Sequence, residues 1–210
     1  MMKLSSAAFN RHLNHMGQRF SWRPGYACPC VSRESGQPNP KCSHCSGKGR
    51  MWGDATDGIA GVVSQSRLRN YSTFGPWDKD DMMLSIGSDS PLYGLGQFDR
   101  IMSIDRSEPF SVALVRGLND MIRFPVIELT RAFYIDAGDF IVDLDLPKIN
   151  PDGTMDWGTS PPPANMSYSL SGRRPPEYFC YVELPTDRPQ HSGEKLPRKV
   201  VLRRFDLFGR

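Results

Sequence analysis

Most of the signatures that would mark an enzyme or a membrane protein are missing from this sequence. No apolar run approaches the roughly 20 residues that span a bilayer, so no membrane partner is expected. Residues 1–20 contain no continuous apolar stretch of the kind that opens a secretory signal, which points to a cytosolic protein or to an assembly built in the cytosol. There is no His-Glu-x-x-His, no Gly-x-Ser-x-Gly and no phosphate-binding P-loop. Gly47-Lys48 comes nearest to that loop, but Cys42 stands where it needs a glycine. His12, His15, His44 and His191 are scattered along the chain without evident partners. The net charge is only +3, from 26 Lys and Arg against 23 Asp and Glu. That balance is too mild for a dedicated duplex-DNA reader, although Arg198, Lys199, Arg203, Arg204 and Arg210 crowd the end of the chain. Asp143 and Asp145 would share one face of a strand, yet no nucleophile or base accompanies them. The expectation is a protein that is not an enzyme.

Glycine and proline are abundant, with 19 and 18 copies. At that density they break helices and punctuate strands. The pattern predicts a mainly β fold, a barrel or sandwich with long loops, preceded by one short helix. Residues 4–20 carry Leu4, Ala8, Leu13, Met16 and Phe20 roughly along one helical face, with Gly17 weakening the end. Strands are expected at 59–69, 81–86, 99–104, 110–115, 126–135, 140–146, 178–184 and 198–205, with turns at 74–77 and 150–153. In 81–86, Met82, Leu84 and Ile86 alternate with Met83 and Ser85, as on a half-buried strand. Trp157 to Pro163 is too rich in proline for core structure. Along the chain this divides into an N-terminal arm (1–22), a cysteine module (23–58) and a β-rich core (59–210) interrupted by a proline-rich loop at 150–177.

Four of the five cysteines fall within 18 residues, as Cys28-x-Cys30 and Cys42-x-x-Cys45. Two short cysteine pairs on facing turns suit a tetrahedral ion with soft ligands at about 2.3 Å. Pro29 stiffens the first turn, and Ser46-Gly-Lys-Gly49 lets the backbone curl back toward the sulfurs. The spacing favours one structural zinc over two alternatives that use the same residues, a pair of disulfides and an iron–sulfur cluster. Four cysteines would close the metal's shell and leave no open catalytic position. His44 lies inside the second turn and is expected to point outward. Cys180, alone in a strand, reads as a small buried apolar residue. Cys42 to Gly49 resembles the zinc knuckles of the DnaJ cysteine-rich region. The first pair departs from that pattern, having one intervening residue where the family has two.

Several further stretches, Trp77 to Met82, Pro91 to Arg100 and the segment from Tyr178 to Arg210, resemble structural proteins of the neck of contractile-tailed bacteriophages. The resemblance implies a virion protein assembled in the host cytoplasm. It implies a six- or twelve-fold homo-oligomeric ring of the collar, gateway or head-to-tail connector type, touching portal, tail or other neck proteins and contacting packaged DNA non-specifically. Phe205, Leu207 and Phe208, flanked by Arg203 and Arg204, would be interface residues, because an apolar chain end in a strand needs cover on both faces. The other reading is a zinc-ribbon-like nucleic-acid adaptor. There Arg33, Lys41, Lys48 and Arg50 would contact phosphates and Trp52 would stack on a base.

Overall fold

The computed structural model describes residues 5–63, 81–184, 190–191 and 193–208. The expected turn at 74–77 and the second half of the strand expected at 59–69 lie outside them. The described chain is mainly strands with one short N-terminal helix, and it forms two compact units. One comprises residues 1–105 and 177–210, the other residues 106–176. The sequence suggested consecutive segments, 1–22, 23–58 and 59–210. Strands from all three segments combine in the first unit, and along the chain the second unit falls between residues 105 and 177.

In the first unit, α1 (Ser6–Met16) is capped by Ser5, whose hydroxyl accepts from the Ala8 amide. The helix is shorter than the expected 4–20, because the chain turns at Gly17 into an extended segment. A Cβ at Gly17 would lie 2.5 Å from Ile59 and from the Leu13 carbonyl, so only glycine fits this close approach. Of the proposed helical face, Leu13 is buried, Met16 is 67% exposed, and Phe20 belongs to the following strand.

That strand is β1 (Gln18–Arg23), and β2 (Gly25–Ala27) follows it into the cysteine segment, which returns at β3 (Arg50–Trp52). Next come β4 (Thr56–Val62), β5 (Met82–Ile86) and β6 (Arg100–Ser103). The second unit supplies β7 (Glu108–Val115), β8 (Glu128–Ile135), β9 (Ile141–Leu144), β10 (Lys148–Ile149), β11 (Met155–Asp156) and β12 (Ser167–Arg174). The chain then re-enters the first unit with β13 (Glu177–Glu183), the small ribbon β14 (Gln190–His191) and β15 (Glu194–Lys195), and β16 (Arg198–Arg204).

Strands β1, β4, β5, β16, β13 and β6, in that order, close into an antiparallel barrel. Closure removes the free strand edges that an open sheet would present. The interior is filled by Phe20, Leu84, Ile86, Ile101, Val200 and Leu202, all fully buried. Leu92 and Leu95 join this core from a 3-10 turn at Pro91–Gly94, which Ser90 caps. The alternation read in 81–86 is only half right. Met83, expected on the solvent side, is fully buried and sits opposite the equally buried Val201. The outer face of the barrel is therefore dry at this pair.

The second unit is a four-stranded antiparallel sheet in the order β7, β12, β8, β9, with a β10–β11 hairpin. The expected turn at 150–153 makes that hairpin. Gly153 has φ 86°, and a Cβ there would strike the Ile122 carbonyl oxygen at 2.1 Å. The loop expected at 150–177 needs correction, since residues 167–174 form a central strand. Tyr168, Leu170 and Gly172 point inward while Ser169 and Ser171 alternate with them, a period-2 pattern that the surrounding prolines obscured.

Candidate metal centre

The cysteine segment hangs between β2 and β3, which pair Gly25 with Trp52, Tyr26 with Met51 and Ala27 with Arg50. Its root is tied to the barrel by the buried carboxylate of Asp99. This accepts hydrogen bonds from the Trp22 indole at 2.8 Å and from the amides of Gly25 and Gly96, both at 2.7 Å. A buried carboxylate is tolerated only when donors surround it, and these three set the angle at which the segment leaves the barrel.

Local backbone turns fold the segment itself. The Val31 amide donates to the Cys28 carbonyl, Ser46 to Cys42 and Lys48 to Cys45, while Cys28 donates across to Gly49 at 2.9 Å. Ser46, Gly47 and Gly49 have φ of 51°, 79° and 71°. Two of these left-handed positions carry glycine, which adopts them without a Cβ penalty. This is the curling expected after Cys45.

The turns bring all four sulfurs of Cys28, Cys30, Cys42 and Cys45 within 4.8 Å of one another. Cys28 Sγ is 3.8 Å from Cys42 Sγ, and Cys30 Sγ is 3.5 Å from Cys45 Sγ. Cys28 and Cys45 are buried, and Cys30 and Cys42 are half-buried. The Gly49 amide donates to Cys45 Sγ at 3.3 Å, a bond that orients the sulfur and stabilises its negative charge. The amides of Cys45 and His44 bring the Cys42 thiol down to about 6, whereas burial pushes Cys30 up to about 12. A metal entering such a site must displace the protons that remain. The group is able to hold one metal ion. His44 is exposed and outside the ligand set, as expected. Cys180 lies in the barrel core, its thiol pushed up to about 12 by burial.

The carboxy-terminal residues are not in a strand as expected. After β16 the chain makes a 3-10 turn at Phe205–Leu207, and the aromatic side chains fold back on their own unit. Phe205 and Phe208 stack at 5.8 Å, and both meet the ring of Trp52 edge-on, at 5.1 and 5.7 Å. Phe208 also meets Phe98 and Phe179. Trp52 is thus packed within the fold, its indole donating to the Phe98 carbonyl. Phe205, Leu207 and Phe208 remain half-buried. Arg203 bonds the buried carboxylate of Asp81 at 2.9 Å and lies over the Tyr181 ring, while Arg204 lies 3.9 Å from Asp206 and over Tyr178. Asp143, the suggested half of an acid pair, is in an exposed ion pair with Arg131.

Sequence reading missed Phe98 and Asp99. Both sit in an irregular stretch far along the chain from the cysteines, and only the fold brings them to the root of the metal segment. Among the described residues no helix is long and apolar enough to cross a membrane. The sequence matches no protein-family model and no curated protein.

Proposed function

We propose that this chain is a structural subunit of a bacteriophage neck, assembling into a six- or twelve-fold ring that joins portal or connector to tail, with one structural zinc in each subunit. What supports the assembly role is the distribution of exposed apolar side chains. Leu118, Ile127, Ile135, Phe140 and Ile141 of the inserted unit are each more than half exposed. Ile135 pairs with Ile141, next to Phe140, where β8 meets β9. Clustered apolar side chains left open on a folded unit suit a contact with another protein, and a ring uses one repeated heterologous contact that closes. The half-buried Phe205, Leu207 and Phe208, with Arg203 and Arg204, remain candidates to complete an interface, because their cover within the chain is partial.

The zinc assignment rests on geometry. An ion about 2.3 Å from each of four sulfurs sets them about 3.8 Å apart, close to the 3.5 and 3.8 Å observed for two of the pairs. Zinc is also the commonest ion in a closed four-thiolate shell of this kind.

Light scattering at two concentrations, with and without portal or tail components, tests the ring. A mass of six or twelve chains, alone or on the partner, is the expected result. A strict monomer that binds no neck component refutes it. If that monomer also binds nucleic acid in a salt-sensitive way, the zinc-ribbon adaptor is the better reading. Elemental analysis tests the metal, with one zinc per chain expected.

A further inference from the structure

Between the cysteine segment and the barrel wall lies an open groove of about 610 Å³, within the usual size range of ligand clefts. Three cationic residues, Lys48, Arg50 and Arg203, line it together with the rings of Phe98, Tyr181 and Phe208, and no acidic residue is among the described lining residues. The cations lie against rings. The guanidinium of Arg50 is 4.4 Å from the Phe98 centroid, that of Arg203 is 4.0 Å from Tyr181, and Lys48 Nζ is 5.9 Å from Phe208. Arg203 is additionally held by Asp81, which fixes its position and offsets part of its charge. Phe98 sits at φ 70°, a left-handed backbone that costs free energy for an aromatic residue and is typical of ligand-contacting loops.

We propose that this groove binds single-stranded nucleic acid. Cations and aromatic rings brought together in one groove match a chain that carries both phosphates and planar bases. A guanidinium held over a ring adds a second surface on which a base stacks. A duplex fits less well, because its base faces are already stacked on one another. The groove shares Lys48 and Arg50 with the surface that an adaptor reading would use, but it excludes Arg33 and Lys41, leaves Trp52 in the packing and adds Arg203, Phe98 and Tyr181. The inference goes beyond the neck assignment and stands whether or not the chain forms rings.

The test is fluorescence anisotropy of a labelled oligo-dT twelve-mer with the purified full chain. With two to three phosphates neutralised, raising salt from about 50 to 200 mM should weaken binding about 7- to 20-fold. Arg50→Glu and Lys48→Glu should each weaken it at least about 10-fold, whereas Arg33→Glu should change it less than about 2-fold. Tyr181→Leu, on a barrel strand away from the cysteine loop, should weaken it about 5- to 100-fold through lost stacking. Metal content and melting temperature of each variant show whether it remains folded, and the Tyr181 variant serves if the loop variants do not. No binding, equal losses for Arg33→Glu and Arg50→Glu, or a duplex or polyglutamate peptide binding as tightly as the oligonucleotide would each overturn the proposal. Ring formation is read separately from mass, so its failure would not be confused with failure here.

Discussion

The barrel and the cysteine segment lie side by side in one compact unit, yet different physics holds each of them. The barrel buries a dozen core side chains, and burying each large apolar one is worth about 1.5–3 kcal/mol. Between Ala27 and Arg50 the cysteine segment buries only Cys28, Cys45 and Gly49. Its prolines, glycines and serines form turns, and apart from the half-buried Val31 and Pro38 beside Gly49 its centre is sulfur. A core of that size cannot offset the entropy of ordering some twenty residues, so on the proposed reading metal–sulfur bonds hold the segment where apolar burial holds the barrel. One compact unit would then contain two sources of stability, joined through Asp99 at one end and the Trp52–Phe205–Phe208 aromatic cluster at the other.

The largest effect should come from removing the proposed zinc. Structural zinc contributes on the order of 10 kcal/mol of apparent binding energy in small modules. Chelation, or Cys42→Ser, should therefore abolish amide protection across residues 25–52 while the barrel strands stay protected in hydrogen exchange. If barrel protection is lost as well, the two regions are one energetic unit. The reciprocal change is Leu84→Ala, which empties a fully buried site in the barrel and should cost about 2–5 kcal/mol in urea unfolding. The proposed zinc should be retained in that variant under native conditions.

The aromatic cluster between the regions sharpens the picture further. Phe208→Ala removes edge-on contacts with Trp52, Phe98 and Phe179 and should cost about 1–2 kcal/mol, the scale of a few aromatic pairs. Exchange in β2 and β3 should rise more than exchange in β5, because the loss falls at the attachment. Deleting residues 205–210 extends the same experiment to assembly. A folded truncation that no longer forms rings would support their interface role, and a truncation that melts as a whole would assign them to the subunit's own packing.

The smallest effect is electrostatic and touches the barrel rim alone. The Arg19 amide donates to the Asp105 carboxylate at 2.7 Å and its guanidinium pairs with it, holding the carboxyl below its ordinary value. A depressed carboxyl stabilises the fold above its unfolded value near 3.9 and loses that contribution as pH falls through the folded one. Asp105→Asn should accordingly flatten the fall in urea midpoint between about pH 5 and 3. Cysteine-segment exchange should respond no differently to acid in this variant than in the parent chain.

Much of the barrel was legible because antiparallel strands announce themselves locally. Leu84 and Ile86, or Val200 and Leu202, alternate with neighbours of another face, and turn residues bound each run. The candidate metal site was legible for a similar reason, since Cys28-x-Cys30 and Cys42-x-x-Cys45 carry their geometry in their spacing. Reading failed where a local signal had a stronger neighbour. The helical pattern of residues 4–20 ran on into Phe20, but Gly17 is pressed against Ile59, and Phe20 is worth more in the barrel core than on a short helix. The prolines around 160 similarly hid the alternation of Tyr168 and Leu170.

From the sequence alone came the strand-rich class, the short helix, most of the longer strands and the four cysteines that converge, because each depends on residues close together in the chain. Which strands pair, and hence that six of them close into a barrel with residues 106–176 inserted, was decided only in three dimensions. So was the burial of Met83 against Val201, which a period-2 pattern assigns to water. The carboxy-terminal aromatics show the same limit. Their apolar character demands cover, but the choice between a partner and the chain's own Trp52, Phe98 and Phe179 depends on contacts between residues up to about 150 positions apart. Pairing across such distances is set by the total burial the fold achieves, a sum that no local pattern records.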